Sequence, residues 1–405
     1  MLRSLLLWLL ILSSVSTVHA QTRTSENPVT ILISIDGFRP DYLERGITPH
    51  LNALAAEGAR GVLKPSFPTK TFPNHYAIVT GLRPDRNGIV GNSMIDPERP
   101  GQMFSLGDAQ QSRDPFWWSQ AEPIWVTAEK SGIRTATAFW PGSEVAIQNS
   151  RPHDWLRFDQ AISNAQRVDT VIDWLRRPEA IRPRLVTLYF DAVDTGGHRF
   201  GPESAEVNKA IAEVDAAVGH LAEEIAKLER PANLILVSDH GMAATDEAKT
   251  IQLDALIERQ SYIAVETGPY AAIEPAAGTD RRVQDALLKP HPHMACHERE
   301  KFPAHLHYGK NPRVAAIICL ADPGWVILSG PSPYPLSPGG AHGWSNDMPE
   351  MRALFIASGP AFTKGTDIGL VDNVEVYPLL RRLLGQPDAR NIDATGKPAE
   401  ILLKK

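Results

Sequence analysis

The stretch "VTILISIDG", residues 29–37, joins an apolar run rich in β-branched residues to an aspartate and a glycine. An unbroken apolar run of this length predicts a strand that is buried on both faces, as the strands of a parallel sheet are. The Asp36-Gly37 pair marks the end of that strand. Because ligands of open α/β sheets bind beyond the carboxyl ends of the strands, Asp36 lies where a functional residue is expected.

Four further runs have the same character: "RTATAF" (134–139), "RLVTLYF" (184–190), "NLILVS" (233–238) and "ALFIAS" (353–358). Helical patterns lie between the strands, among them residues 47–59, 165–177 and 204–230. This alternation predicts an α/β fold with a mainly parallel sheet sandwiched by helices. Residues from about 260 to 345 are richer in proline, glycine and histidine and carry shorter strands, "RVAAIICL" and "WVILS". We therefore expect a single domain over residues 27–390, with a small inserted subdomain at about 260–345.

The composition is that of an ordinary globular protein, with 405 residues, 43% hydrophobic and 22% charged, and a formal charge of −6. This charge argues against a general electrostatic grip on nucleic acid or anionic lipid, so no stable nucleic-acid partner is expected. Residues 1–20, "MLRSLLLWLLILSSVSTVHA", have the charged start, short apolar run and small-residue end of a secretory signal peptide. We expect cleavage after Ala20, no membrane span in the mature chain, and export, most simply to the periplasm.

The two cysteines of the chain are Cys296 and Cys319. In an exported protein they most simply form one disulfide. A metal site is the competing interpretation, because "HPHMACHE" places His291, His293 and His297 beside Cys296. The histidines lack regular ligand spacing and a proline interrupts them, which favours a surface loop with a bridged cysteine.

Aspartate and histidine follow two more of the predicted strands. "DAVDTGGH" (191–198) brings Asp194 and His198, and "DHGM" (239–242) brings Asp239 and His240. Oxygen and nitrogen ligands without cysteine suit zinc or a related divalent ion. The two glycines between Asp194 and His198 predict a turn from which both side chains reach one ion. His342, in the glycine-rich "PGGAHGWSND" (338–347), is a further candidate ligand.

Thr71 lies in "PSFPTKTFPNHYAIVTG" (65–81), where a proline-rich loop meets a short helical pattern. In one interpretation Thr71 is the N-cap of that helix, with Pro73 in the first turn. In the other it is the nucleophile of a phosphoryl transfer, since a metal can activate a hydroxyl and two cations can clamp the attacking and leaving oxygens. A helix N-terminus also binds phosphate oxygens, so both interpretations stay open.

Six segments in this order carry a family resemblance: "PSFPTKTFPNHYAIVTGLRPDRNGIVGN", "FWWSQAEPIWVTAEKSGIRTATAFWPGSE", "DTGGHRFGP", "LVSDHGM", "HLHYGKNPRV" and "GAHGW". From about residue 28 to 385 the chain resembles the nucleotide pyrophosphatase/phosphodiesterase family of the alkaline phosphatase superfamily, as a bacterial exported member. The resemblance implies two zinc ions. One would be held by Asp36, Thr71, Asp239 and His240, and the other by Asp194, His198 and His342.

The same resemblance implies roles for residues around the metals. Thr71 would carry a covalent nucleotidyl intermediate, and Asn92 would donate to a phosphate oxygen. Phe72 and Phe158 fall where the family stacks a nucleobase; the alternative for Phe158 is core packing.

Two departures from the family pattern concern the second group of ligands. Ala192 and Val193 precede Asp194 in place of Glu-Pro, which leaves Asp191 as a competing ligand. Trp344 and Ser345 stand after Gly343 in place of Tyr-Asp. This departure touches the surroundings of the metal ligands and not a ligand, so it would alter the properties of the metal site more than the mechanism.

The function expected is that of a monomeric zinc phosphodiesterase that cuts nucleoside triphosphates or dinucleoside polyphosphates to nucleoside 5'-monophosphates. A lipid or choline-type phosphodiesterase could use the same site, and a non-catalytic exported nucleotide- or zinc-binding protein is the alternative from another class. A phosphomonoesterase is disfavoured because no arginine stands beside Thr71, and a sulfatase because no Cys/Ser-x-Pro-x-Arg stretch is present.

Overall fold

The computed structural model describes residues 27–332 and 334–404. The expected signal peptide, residues 1–20, lies outside the described residues. Within them, no helix combines the length and the apolar character needed to cross a membrane.

A central sheet of eight strands forms the middle layer. Its strands, in spatial order, are Thr366–Asp372, Ala59–Lys64, Ala353–Ser358, Ala232–Val237, Val29–Ile35, Leu185–Phe190, Thr135–Ala138 and Asp154–Trp155. The mainly parallel sheet expected from the sequence is confirmed, because Val29–Ile35 runs parallel to both of its neighbours. Ala353–Ser358 departs from the expectation, since it pairs antiparallel on both sides.

Apolar side chains on the two faces of the central sheet belong to two separate cores. Along the strand Val29–Ile35, the side chains of Ile31 and Ile33 enter one core and Leu32 enters the other. This alternation follows from the two-residue period of a strand. Because each face must be covered by apolar surface, the strand is fully buried and its sequence is continuously apolar.

Helices cover both faces, as the sandwich predicts. The α-helices among the described residues are Pro49–Glu57, Thr71–Thr80, Pro84–Asn87, Ile124–Lys130, Asn164–Arg176, Ala192–Phe200, Ala205–Lys227, Asp280–Leu287, Val376–Leu383 and Lys397–Leu402. The long helix Ala205–Lys227 begins at the N-cap Ser204, whose hydroxyl accepts from the Val207 N–H, and buries Val214 and Val218 on one face of the sheet. The helix Thr71–Thr80 buries Ile78 and Val79 on the opposite face.

A small antiparallel sheet interrupts the alternation of strands and helices. Its strands, in spatial order, are Tyr262–Glu266, Tyr270–Pro275, Ile317–Ala321 and Met294–Glu298. Shorter pairs join Thr250–Gln252 to Val326–Leu328, Ala243–Ala244 to Gly340–Ala341, and Ser93–Ile95 to Met103–Ser105.

The disulfide lies within the small sheet. Cys296 stands directly opposite Cys319 on the neighbouring strand, and the two are bonded, which confirms the expected bridge. His293 stacks on Trp325 instead of joining a cluster of ligands. The groups of potential metal ligands within the described residues include none of the three histidines near Cys296, so the alternative of a metal site there has no support.

Candidate active site

Polar side chains gather at the carboxyl edge of the central sheet. Asp36 directly follows Val29–Ile35, and Asp239 and His240 come just after the neighbouring parallel strand Ala232–Val237. Asp36, Asp239 and His240 are almost completely buried. The parallel register explains why residues about 200 positions apart in the chain meet, as the sequence predicted.

Asp194 and His198 lie on the helix Ala192–Phe200, and the expected turn is wrong. The helical period places residues four apart on one face, so the spacing serves a helix as well as a turn. The two intervening glycines allow close packing. A Cβ at Gly197 would come within 2.9 Å of the Met242 side chain, so a larger residue there would require Met242 to move.

The first cluster converges on Nε2 of His240. This atom lies 3.0 Å from Asp239 Oδ2, 3.4 Å from Asp36 Oδ1 and 3.2 Å from Thr71 Oγ1. His240 Nδ1 donates to the Gly241 carbonyl, 2.9 Å away, so Nε2 is the atom left to face a proton or a cation.

The second cluster contains Asp194, His198 and His342. His198 Nε2 lies 3.5 Å from Asp194 Oδ2, and His342 Nε2 lies 3.7 Å from Asp194 Oδ1. The Nδ1 atoms of His198 and His342 donate to the carbonyls of Gly340 and Thr69. Their Nε2 atoms therefore face each other at 3.2 Å, an arrangement that two neutral imidazoles tolerate only with a cation or a proton between them.

The electrostatics of the site favour positive charge. Burial, and after it the charges of Asp239 and Asp194, raise the pKa of Asp36 well above its ordinary value. Burial alone would raise the pKa of Asp239, but the neighbouring His240 and His75 hold this pKa well below its ordinary value. Burial and the nearby positive charge of His240 lower the pKa of His342 well below its ordinary value, so this imidazole is neutral as a metal ligand must be.

The residues present fit divalent cations. Asp36 Oδ1, Asp194 Oδ1 and Asp239 Oδ2 are buried, and none of these oxygens accepts a directed hydrogen bond. Some of them lie close to histidine nitrogens, yet without hydrogen-bond alignment. Buried unpaired carboxylate oxygens are costly, and cations in the two clusters would satisfy them. His240 and His342 stack at 3.5 Å, so the clusters form one continuous site.

Thr71 is the first residue of its helix, and the interpretation as an N-cap is wrong. Lys70 occupies the cap position with an extended backbone. A cap hydroxyl would need a free N–H two or three residues on, but Pro73 has none and the Asn74 N–H donates to the Lys70 carbonyl. The Thr71 hydroxyl is thereby left to face His240.

A cavity of about 630 Å³ opens over both clusters, and its wall includes Thr71, Asn92, Phe72 and Phe158. Asn92 Oδ1 accepts from the Phe72 backbone N–H at 2.9 Å, which leaves the amide NH2 as the end that can donate to an anion. Phe158 is 42% exposed, so it belongs to the cavity wall and not to the core. Asp191 is held by Arg167 at 2.7 Å and stands outside both clusters.

Several residues of the site escaped the sequence interpretation. Tyr189 donates to Asp36 Oδ2 at 2.6 Å, and the buried His75 lies 3.3 Å from Asp239 Oδ2 and 2.9 Å from the Thr71 carbonyl. Lys70 lines the cavity beside Thr71 and pairs with Glu266 at 3.5 Å. Lys70 and His75 lie near Thr71 in the sequence, which is the signal that could have identified them. The signal for Tyr189 is only its position in the strand that pairs with Val29–Ile35, which Asp36 follows.

The fold and the two clusters correspond to a known class of hydrolases. Residues 30–345 match the family described as Type I phosphodiesterase / nucleotide pyrophosphatase. The chain is 39% identical over 366 residues to the bis(5'-adenosyl)-triphosphatase enpp4 of Xenopus laevis, a match that covers 89% of this chain and 78% of that protein. The chain thus belongs to the Type I phosphodiesterase / nucleotide pyrophosphatase family, within the alkaline phosphatase superfamily, and is a hydrolase.

Solved structures agree with this assignment. Human ectonucleotide pyrophosphatase/phosphodiesterase 5 superposes with a TM-score of 0.87 at 34% identity, covering 92% of this chain and 99% of that one. The murine protein, in an inactive variant with one threonine replaced by alanine and in complex with AMP, matches with a TM-score of 0.87 at 34% identity, covering 93% and 100%. The alkaline-phosphatase-like fold and the family expected from the sequence are therefore confirmed.

Proposed function

We propose that this protein is a zinc-dependent nucleotide pyrophosphatase/phosphodiesterase that uses Thr71 as its nucleophile. The observation that carries the proposal is the position of the Thr71 hydroxyl, 3.2 Å from His240 Nε2 within the first cluster and at a helix N-terminus. A hydroxyl placed there is next to the ligands of a cation and to backbone N–H groups that can bind phosphate oxygens.

Two zinc ions are the proposed cofactors. Asp36, Thr71, Asp239 and His240 would hold one, and Asp194, His198 and His342 the other. When bound, such ions lower the pKa of a coordinated hydroxyl and offset the charge on the departing oxygen. Support comes from the unpaired buried carboxylate oxygens and from the convergent Nε2 atoms.

The chain's own residues then divide the reaction into two displacements. Thr71 gives up its hydroxyl proton to solvent, and its Oγ1 forms a bond to the α-phosphorus while the bond from phosphorus to the leaving phosphate oxygen breaks, so that pyrophosphate or a nucleotide departs. A water molecule next attacks phosphorus, its hydroxyl stays on the nucleotide, and the bond from phosphorus to Thr71 Oγ1 breaks. The second proton of that water returns to Thr71, and a nucleoside 5'-monophosphate leaves. Asn92 would donate its amide N–H to a phosphate oxygen throughout.

The proposed substrates are nucleoside triphosphates and dinucleoside polyphosphates. Phe72 and Phe158 line the cavity and would hold the nucleobase by stacking, which discriminates little between bases. The bis(5'-adenosyl)-triphosphatase activity of the Xenopus relative and the AMP bound by the murine relative support nucleotides over lipid or choline esters. The inactive threonine-to-alanine variant of the murine relative supports a threonine nucleophile.

The protein would act as an exported monomer, in the periplasm of a bacterium, after removal of residues 1–20. Residues 27–390 would form one catalytic domain into which about 260–345 are inserted.

Hydrolysis of a p-nitrophenyl nucleotide diester, measured beside p-nitrophenyl phosphate, tests the proposal. The wild type should prefer the diester and lose activity on chelation, and Thr71→Ala should lower turnover by at least about a thousandfold. Thr80→Ala is the matched control, because Thr80 ends the same helix, and its hydroxyl donates to the Tyr76 carbonyl and accepts from the Leu82 N–H, away from the site. Full activity in Thr71→Ala, or a preference for the monoester, would refute the proposal.

A further inference from the structure

Tyr334 covers the outer side of the second cluster. Its ring stacks on the His198 imidazole with centroids 4.8 Å apart and planes within 9° of parallel. Tyr334 is nevertheless 47% exposed and lines the cavity. One ring face therefore packs against a ligand histidine, and a large part of the ring remains open to an incoming molecule.

The exposed aromatic rings of the cavity are divided between the two clusters. Phe158 packs edge-on against Tyr189, and the Tyr189 hydroxyl donates to Asp36 of the first cluster. Tyr334 packs on His198 of the second cluster. A phosphate at Thr71 would thus have an aromatic surface on either side of it.

The wall near Tyr334 is apolar. Val326, Leu328, Pro335 and Leu336 also line the cavity there, and Leu336 packs with Val326 and Leu328 in one apolar cluster. Such a wall suits a flat aromatic group better than a charged one.

Basic side chains are few along the cavity. Of the described residues in its wall, only Lys70 and Arg113 are lysine or arginine. Arg113 Nε already donates to Glu144 at 2.7 Å, and Lys70 faces Glu266. A long phosphate tail would find little compensation in charge, whereas a second base at its far end would gain stacking energy.

We propose that Tyr334 binds the second nucleobase of a dinucleoside polyphosphate, the base that departs with the leaving group. This inference rests on the proposed function and deepens it, because it singles out dinucleoside polyphosphates as the preferred substrates. The transferred nucleotide occupies Phe72 and Phe158, and the leaving nucleotide passes over the second cluster to stack on the open face of Tyr334.

Three substrates separate this role from a structural one. Diadenosine triphosphate has a second base, ATP has the phosphates without it, and the p-nitrophenyl nucleotide diester has neither a second base nor further phosphates. Tyr334→Leu should lower kcat/KM for diadenosine triphosphate about tenfold, mainly through KM, because stacking of one base is lost. Turnover of ATP and of the p-nitrophenyl diester should stay within about twofold of the wild type.

Two further measurements distinguish stacking of Tyr334 on the second base from structural support of His198. Tyr334→Phe keeps the ring and should retain the preference for diadenosine triphosphate. In the Thr71→Ala background, which cannot form the intermediate, addition of Tyr334→Leu should weaken calorimetric binding of diadenosine triphosphate but not of AMP.

Equal losses on all three substrates, accompanied by a lower zinc content, would show that Tyr334 only supports His198 and would overturn the inference. An unchanged kcat/KM for diadenosine triphosphate would overturn it as well. A wild type that fails to cleave the p-nitrophenyl diester would instead refute the proposed function, so the two failures are distinguishable.

Discussion

Tyr189 illustrates how a single hydrogen bond can orient a proposed metal ligand. Its hydroxyl donates to Asp36 Oδ2 at 2.6 Å, while Asp36 Oδ1 has no hydrogen-bond partner. One carboxylate oxygen is thus fixed by the protein and the other is presented to the site. Groups that orient metal ligands in this way commonly contribute ten- to a hundredfold in metal affinity.

Tyr189→Phe should therefore weaken zinc binding by about tenfold and lower activity at limiting zinc. The measurement is competition with a chromophoric chelator, followed by activity as zinc is restored. Tyr262→Phe is the matched control, since the Tyr262 hydroxyl donates to Asp254 at the same 2.6 Å in the region of the small sheet. If both variants bind zinc as tightly as the wild type, Tyr189 does not orient Asp36.

Sequence predicts the chemistry of individual residues better than their contacts. Asp36, Asp239 and His240 could be proposed as ligands because parallel strands place their ends at one edge. Tyr189 could not, because nothing in an apolar strand reveals which hydroxyl points at a carboxylate. The sequence also offers Thr71 as the N-cap, whereas the cap is Lys70, one position earlier. What decides this is that Pro73 has no N–H and that the Asn74 N–H donates to the Lys70 carbonyl.

The sequence predicted five strands of the central sheet and their mainly parallel arrangement, but not the strands Ala59–Lys64, Asp154–Trp155 and Thr366–Asp372, nor the antiparallel direction of Ala353–Ser358. The apolar run "ALFIAS" coincides with the strand Ala353–Ser358, but burial on both faces is equally compatible with either direction. Likewise, "DTGGH" has two glycines that favour a turn, yet it is helical, with Gly196 beside Val207 and Gly197 beside Met242.

The disulfide ties together two strands of the small sheet that are 23 residues apart in sequence. Closing a loop of that length removes unfolded-state entropy worth about 3 kcal/mol. Replacing both Cys296 and Cys319 by alanine should lower the urea midpoint of unfolding by a corresponding amount. The kcat for the p-nitrophenyl nucleotide diester should not change, because neither cysteine lines the cavity. A large loss of kcat in the folded double variant would contradict this separation of stability from catalysis.

For the whole molecule, the central sheet brings together carboxylates that repel one another. Asp36, Asp239 and Asp194 approach each other only because the fold places the ends of three strands at one edge, and ionised Asp36 is disfavoured there. Because folding raises the pKa of Asp36, ionisation of this carboxyl costs the metal-free protein stability as the pH rises above the ordinary value. Cations that bind the folded state reverse this cost.

Asp36→Asn should consequently raise the stability of the metal-free protein and lower the stability of the zinc-bound protein. Without metal, the variant should be more stable than the wild type at neutral pH, because it removes a carboxyl group whose ionisation the fold disfavours. The amide oxygen can still accept from Tyr189, so this gain is not offset by a lost hydrogen bond. With zinc, the variant should be less stable than the wild type, because one ligand is missing.

Thermal unfolding in the presence of a chelator and of zinc measures both effects. Addition of zinc should raise the Tm of Asp36→Asn by less than it raises the Tm of the wild type. Asp215→Asn is the control, because Asp215 is buried but accepts from the backbone N–H groups of His50 and Leu51. That variant should lower Tm equally with and without zinc, since its carboxylate is already satisfied by the protein. A metal-free Asp36→Asn protein that unfolds at a lower temperature than the metal-free wild type would mean that repulsion among these carboxylates does not destabilise the fold.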